Sequence, residues 1–321
     1  MKRIGVITTG GDAPGMNTAI RAVVRIALGV GMEVFGIRRG YRGLFENDLF
    51  RMNSRSVSGI INMGGTILKS IRSPEFKERR VREKAHENLK ENRIEGLVTI
   101  GGDGTARGAF CLFSEFNFPV VLIPASIDND VYGTDYTVGF DTAVNTAVDA
   151  IDRIRDTATS HERIFIIEVM GREKGNLALE VAVACGAEIV LIPELKIDWD
   201  KICVEIKEQE RKGKVSSMVV LAEGAGKAQD VVKVLKEKFP EREIRFSVLG
   251  YIQRGGKPTA FTRTLATKFG MEAVRMLQDE LYGYMVGLKD GKIVHIPLKQ
   301  VASQRKPPPL EYLEIVKLMA I

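Results

Sequence analysis

RIGVITTGGDAPGMNTAIRAVVRIALG, residues 3–29, carries the pattern on which the rest of the chain is built. A β-branched run (3–8) enters a glycine turn, and apolar residues at helical spacing follow (15–29). The same unit recurs in GLVTIGGDGTARGAFCLFSEF at 96–116. Strand candidates lie at 3–8, 32–37, 96–100, 119–123, 163–169, 188–192, 217–223 and 244–250. Helical patterns occupy 15–29, 75–91, 104–115, 140–158, 175–185, 198–212, 227–238 and 259–279. Strands apolar on both faces, each with a following helix, build parallel sheets covered on both sides. The count suits an α/β protein with two doubly wound, Rossmann-like domains and mostly parallel sheets. A closed barrel of eight such units has the same count. Glycine-rich loops after the first and third strands favour open sheets, with ligands at the carboxyl ends.

The 321 residues are enough for two domains, and 45% hydrophobic with 27% charged residues is ordinary for a soluble globular chain. The net charge of +6 is spread, with lysines and arginines interleaved among acids. That distribution points to small anionic ligands and away from nucleic acid. Cys111, Cys185 and Cys203 are far apart and flanked by apolar residues, so reduced, buried thiols are expected rather than a disulfide or zinc framework. The apolar stretch in MKRIGVITTGG is too short for a signal-peptide core, and no run reaches the length of a membrane span. A cytoplasmic protein that does not engage the membrane is expected.

Three loops carry the chemistry. In TTGGDAPGMN (8–17), Gly10 and Gly11 allow close backbone approach, Pro14 suits a first helical turn, and the helix start offers free N–H donors. In IGGDGT (100–105), Gly101, Gly102 and Gly104 expose Asp103 beside bare amides, a setting for phosphate on the amides and magnesium on the carboxylate. A plain helix cap is the alternative for Asp103. In PASIDND (124–130), Asp128 and Asp130 are two apart and, on extended backbone, would face one side. One could take a proton from an attacking hydroxyl while the other binds metal or shifts its partner's pKa. The strand before this loop is expected to lie between the strands that carry the other two. Arg72, Arg163, Arg172, Arg245 and Arg254 fall at strand ends or in glycine-containing loops, where guanidinium forks bind phosphate oxygens. Together these features indicate phosphoryl transfer.

The segments GGDAPGMN, GGTIL, IGGDGT, IDND, GTDYTVGFDTAVNTAVDAIDRIRDTATSHER, EVMGR and IQRGGKPTAF, in this order, resemble the motifs of the bacterial-type ATP-dependent 6-phosphofructokinase family, from residue 1 to about residue 300. The resemblance implies a larger ATP-binding domain (1–139 plus 253–303) and a smaller sugar-phosphate domain (140–252 plus 304–321). It implies an ATP site of Gly11, Tyr41, Arg72, Phe76, Gly102, Asp103, Gly104 and Thr105, with Asp103 on magnesium. Asp128 would be the base for the 1-hydroxyl of fructose 6-phosphate, supported by Asp130. Ser126 stands where the family usually has Thr. Met170, Gly171, Arg172 and Glu223 would hold the sugar; Arg163 and Arg245 of a neighbouring subunit, with Arg254 and Tyr251 of the same one, would reach its 6-phosphate. Arg72 and Arg172 would offset charge on the transferring group. A homotetramer in glycolysis is implied. Pyrophosphate-using relatives carry Asp at position 104 and Lys at 125, so Gly104 and Ala125 favour ATP as donor.

Two departures stand out. Tyr251 replaces the His that normally precedes the QRGG motif, which implies weaker binding of fructose 6-phosphate, and Glu173-Lys174 is unusual without an evident reason. The family's effector site, which takes ADP or phosphoenolpyruvate, is matched by Arg21, Arg25, Arg155, Glu188, Lys212 and Lys214. There Arg55 would substitute for an arginine replaced by Ser54, while Gly59, Val215 and Ser216 depart from the pattern. Altered effector control is expected. NAD kinases and lipid kinases share GGDGT but lack the SHER, EVMGR and QRGG segments; a pyrophosphate-dependent enzyme or a catalytically silent regulatory paralogue are the remaining alternatives.

Overall fold

The opening strand–turn–helix unit folds as its pattern requires. In the computed structural model, which describes residues 1–320, β1 (Arg3–Thr9) is buried after its first residue. The helix α1 (Met16–Gly29) buries Met16, Ile20, Val23 and Ala27 along one stripe. The chain continues through β2 (Glu33–Ile37), α2 (Tyr41–Glu46), β3 (Leu49–Met52), α3 (Arg79–Glu91), β4 (Gly96–Gly101), α4 (Asp103–Phe116), β5 (Val120–Ser126), the short β6 (Val138–Gly139) and α5 (Phe140–Ser160). Then follow β7 (Ile164–Val169), α6 (Asn176–Ala184), β8 (Ile189–Leu191), α7 (Trp199–Arg211), β9 (Ser217–Ala222), α8 (Ala228–Lys238) and β10 (Ile244–Val248). The last elements are α9 (Ala260–Gln278), β11 (Tyr284–Lys289), β12 (Lys292–Pro297), α10 (Leu298–Ser303) and α11 (Glu311–Met319).

The residues fall into two units, Met1–Thr142 with Arg254–Lys306, and Ala143–Gln253 with the segment from Pro307. The first holds an eight-stranded sheet of order β12-β11-β5-β4-β1-β2-β3, with β6 beside β5. Its interior pairs are parallel, and only the edge strands β3 and β12 run antiparallel to their neighbours. Both glycine-loop strands end level, because Thr9 pairs with Gly101 and Gly101 with Pro124. The loop carrying Asp103 is therefore the middle one. β4, not β5, lies between the other two strands, which corrects the order expected from sequence. A core of Ile7, Ile37, Leu44, Leu97, Leu122 and Met285 fills one side.

The second unit has a four-stranded parallel sheet of order β10-β7-β9-β8, with a separate core that includes Ile166, Ile206, Val219, Leu221 and Leu235. Helix α11 packs beside α6. Both sheets are open, as the glycine loops indicated.

Three local expectations are corrected. Pro14 precedes α1 in a turn, and the helix begins after Gly15, whose φ of 100° is left-handed. The helix expected over 75–91 breaks into a single 3-10 turn at Pro74–Lys77, an extended Glu78, and α3. The Arg82 guanidinium explains the break: it donates to the carbonyls of Phe76 (2.8 Å) and Lys77 (2.7 Å) and, twofold, to the Glu115 carboxylate. β11 and β12 form a hairpin absent from the strand candidates, turning at Asp290 and Gly291, both with positive φ. No helix among the described residues is long and apolar enough to cross a membrane. The cysteines are free thiols, but only Cys203 is buried as expected; Cys111 and Cys185 are half-buried, and burial pushes Cys185 up to about 11.

Candidate active site

The three loops of the first unit are tied together by hydrogen bonds from side chains to distant backbone. Thr105 Oγ1 donates to the Thr9 carbonyl at 3.1 Å, which joins the IGGDGT loop to the end of β1. The join requires Gly101, since a Cβ there would lie 2.4 Å from the Thr9 carbonyl oxygen and 2.2 Å from Thr105 Oγ1. Ser70 donates to the Gly10 carbonyl (2.6 Å) and Thr8 to that of Lys69 (3.1 Å). Asn17 holds the carbonyls of Met63 and Gly64 and the N–H of Ile67. The segment carrying the exposed Arg72 is thereby fastened beside the first loop, in which Gly11 is partly exposed. Thr105 was expected at the nucleotide, but the anchoring roles were not marked in the sequence, because contacts between residues so far apart leave no periodic trace.

Tyr41 and Phe76, both expected at the nucleotide, are buried (4% and 5% exposed) and stack with ring centroids 4.1 Å apart. The Tyr41 hydroxyl donates to the Thr105 carbonyl at 2.6 Å. Both residues brace the start of α4 rather than present a surface. Gly102 caps that helix, and Asp103 is its first residue. Burial pushes the Asp103 carboxyl above the usual carboxylate range; Arg107 pulls it back and Asp130 pushes it further up. A Cβ on Gly104 would meet open space, so packing does not require glycine there, whereas close approach of a ligand would.

In the third loop Asp128 is buried and Asp130 is half-buried. Ser126 Oγ donates to Asp130 Oδ1 (3.1 Å) and accepts the Asp128 N–H (3.2 Å). The extended backbone expected between the acids is absent, because Asn129 is left-handed with φ 48°. Its side chain donates to the Asp135 carbonyl (2.9 Å) and accepts the Thr137 N–H (3.0 Å), which holds the turn closed. A shared serine hydroxyl, not strand alternation, relates the two acids. Arg254, also in this unit, has Nη1 4.0 Å from Asp12, and its buried Nε has no partner among the described residues.

In the second unit, Arg163 Nε meets Glu243 at 2.7 Å and Arg245 pairs with the same carboxylate. Arg245 is the second residue of β10, beside the strand's start. Its acid is held below the usual carboxylate range, first by the hydrogen bond from Arg163. Met170 N–H donates to the buried Gln253 at 2.9 Å, an anchor the sequence did not suggest. Gly171 and Arg172 both have positive φ (147° and 52°). The Arg172 N–H donates to Glu223 Oε1 at 2.6 Å, and its carbonyl lies where any side chain on Gly224 would stand, 2.0 Å from an ideal Cβ. Tyr251 is 79% exposed.

Of the effector candidates, the second unit brings three together. Buried Glu188 accepts from Lys214 (2.8 Å) and from the Met218 N–H (2.5 Å), with Arg155 at 3.9 Å. Lys212 is exposed at the end of α7. Arg21 and the exposed Arg25 lie on α1 of the first unit, and Arg55 sits in an exposed turn of that unit.

A family model described as phosphofructokinase matches residues 3–277, and the chain belongs to that family. It is 52% identical to ATP-dependent 6-phosphofructokinase 1 of Thermus thermophilus, across 100% of both chains. It is 50% identical to the ATP-dependent 6-phosphofructokinase of Clostridioides difficile, also across 100% of both. Among solved structures, the phosphofructokinase of Pichia pastoris in the T-state superposes with a TM-score of 0.89 at 35% identity, over 94% of this chain and 35% of that longer one. A pyrophosphate-dependent phosphofructokinase from Marinobacter aquaeolei gives a TM-score of 0.86 over 100% of this chain and 92% of that one; at 21% identity it bears on the fold alone.

Proposed function

We propose that this chain is an ATP-dependent 6-phosphofructokinase, transferring the γ-phosphoryl group of ATP to the 1-hydroxyl of fructose 6-phosphate. The observation that carries the reading is the 50–52% identity over the full length to enzymes of that name, in a chain that places Asp103, Asp128 and Asp130 just beyond the adjoining strands β4 and β5. Asp128 takes the proton of the attacking hydroxyl. Its burial and the N–H···Ser126 contact fix its place, while Asp130, on the same serine, supports it. Met170, Gly171, Arg172 and Glu223 hold the sugar, and Arg254 and Tyr251 its 6-phosphate. In a homotetramer, Arg163 and Arg245 would serve a neighbouring copy's site. Arg72 and Arg172 offset charge on the moving group.

Asp103 fits magnesium: its oxygens are hard donors, Asp130 is near enough to act on it, and ATP phosphates would complete the shell. Bound there, the ion would neutralise charge on the phosphates. The open space beside Gly104 supports ATP over pyrophosphate as donor. The Arg155–Glu188–Lys214 cluster supports an effector site for ADP or phosphoenolpyruvate, with control altered by the departures at 54, 59, 215 and 216. A cytoplasmic setting is in keeping with this role.

The test is a coupled assay with ATP or pyrophosphate as donor, repeated with Asp128→Ala. ATP should support turnover, and the variant should lose about 10²–10⁴-fold in kcat with an unchanged melting temperature. Activity that survives Asp128→Ala overturns the base assignment.

A further inference from the structure

Arg107 has no part in the roles assigned above. It stands one helical turn beyond Asp103 on α4, with Nη1 2.7 Å from Asp103 Oδ2. The acid is the more enclosed partner, 34% exposed at its side chain against 57% for the arginine. An i, i+4 pair of this kind adds little to stability. Its position makes it matter in another way. Two cations have a claim on the same oxygens, the guanidinium supplied by the chain and the metal that arrives with the nucleotide. Asp130 and Arg305 also act on Asp103 through space, so its carboxylate sits among charges of both signs.

We propose that Arg107 is a built-in counter-ion, covering the Asp103 carboxylate until the metal–nucleotide complex displaces it and thereby narrowing the site's preference for metal-bound over metal-free ATP. The inference rests on the reading of Asp103 as the metal carboxylate. Without Arg107, a bare Asp103 repels the phosphates of metal-free ATP and attracts the cation freely. With it, that repulsion is cancelled, and the metal must first separate an ion pair. Both effects shift the ratio of the two affinities the same way.

Titration calorimetry on the full chain reads this ratio directly, with ATP in excess chelator and ATP in excess magnesium as the two probes. Arg107→Gln should raise the ratio of dissociation constants, metal-free over metal-bound, about threefold. Arg107→Lys, which keeps the charge, should stay close to the unaltered protein. On an Asp103→Asn background, Arg107→Gln should leave the ratio unchanged. If the protein binds ATP in both titrations and Arg107→Gln leaves the ratio where it was or lowers it, the counter-ion proposal falls alone. If the unaltered protein binds ATP in neither, the nucleotide reading of the loop falls and takes the proposal with it.

Discussion

The loops of the first unit and those of the second hold their functional groups by different means. Around Asp103 and Asp128, neutral side chains reach backbone carbonyls far along the chain: Thr105 to Thr9, Ser70 to Gly10, Thr137 to Ser126. The geometry is set by the sheet, where β1 and β4 end level and β5 runs on past Pro124 to Ser126. In the second unit the arginines are held by acids. Arg163 and Arg245 share Glu243, and Arg172 keeps a left-handed backbone against Glu223. A site framed by backbone tolerates little change in shape, whereas one framed by ion pairs responds to charge and to pH. The lesson is that shape and charge can be perturbed separately.

The largest effect should come from crowding the first region. Gly101→Ala puts a methyl against the Thr9 carbonyl and Thr105 Oγ1, and should destabilise the protein by about 1–3 kcal/mol, read by denaturant unfolding. An unchanged midpoint would mean that the loops are not rigidly joined. Next, Glu223→Ala removes the acceptor that fixes Arg172, a bond to a charged group contributing about 1.5–3 kcal/mol. The Michaelis constant for fructose 6-phosphate should rise at least about tenfold, with most of the loss recovered in Glu223→Gln, which retains an acceptor oxygen. Equal defects in both variants would mean that the charge of Glu223, and not its acceptor oxygen, holds Arg172.

Tyr251→His should lower the same constant about threefold, and most of all below pH 6.5 where imidazole gains its charge. A constant no different from that of the unaltered protein would remove Tyr251 from the phosphate subsite. The smallest effect concerns Glu243. Its carboxyl is depressed by Arg163, so the pair's stabilisation is complete above the ordinary glutamate range and is lost only as pH falls below it. Melting curves from pH 6 down to 3 should show Glu243→Gln losing part of the acid-side slope. Parallel curves for the two proteins would show that the pair adds nothing.

Apart from β11, the interior of each sheet was legible from sequence because its strands are apolar on both faces and flanked by amphipathic helices. In the first sheet the edges were not: β3 and β12 are half-exposed and antiparallel, although Asp290-Gly291 is a hairpin signal that could have been read. The loops announced their glycines and acids, but not their supports. Arg82 overrides a helical pattern by drawing carbonyls out of it, and Asn129 turns the acidic loop left-handed. Tyr41 and Phe76 were expected at the nucleotide; that they stack on each other left no mark in the sequence. Arg107 carried no signal at all, since one more arginine in a helix is ordinary until its partner is known.

The first unit is discontinuous, and that has a consequence for how the protein is made. During synthesis β5 leaves the ribosome long before β11, the strand that covers its outer edge, because the whole of residues 143–253 must be made in between. Until then an apolar parallel strand is left uncovered, the kind of edge that recruits other chains. Nascent chains stalled within the second unit should therefore be the most prone to aggregate, and release past Pro297 should mark the point at which the sheet closes.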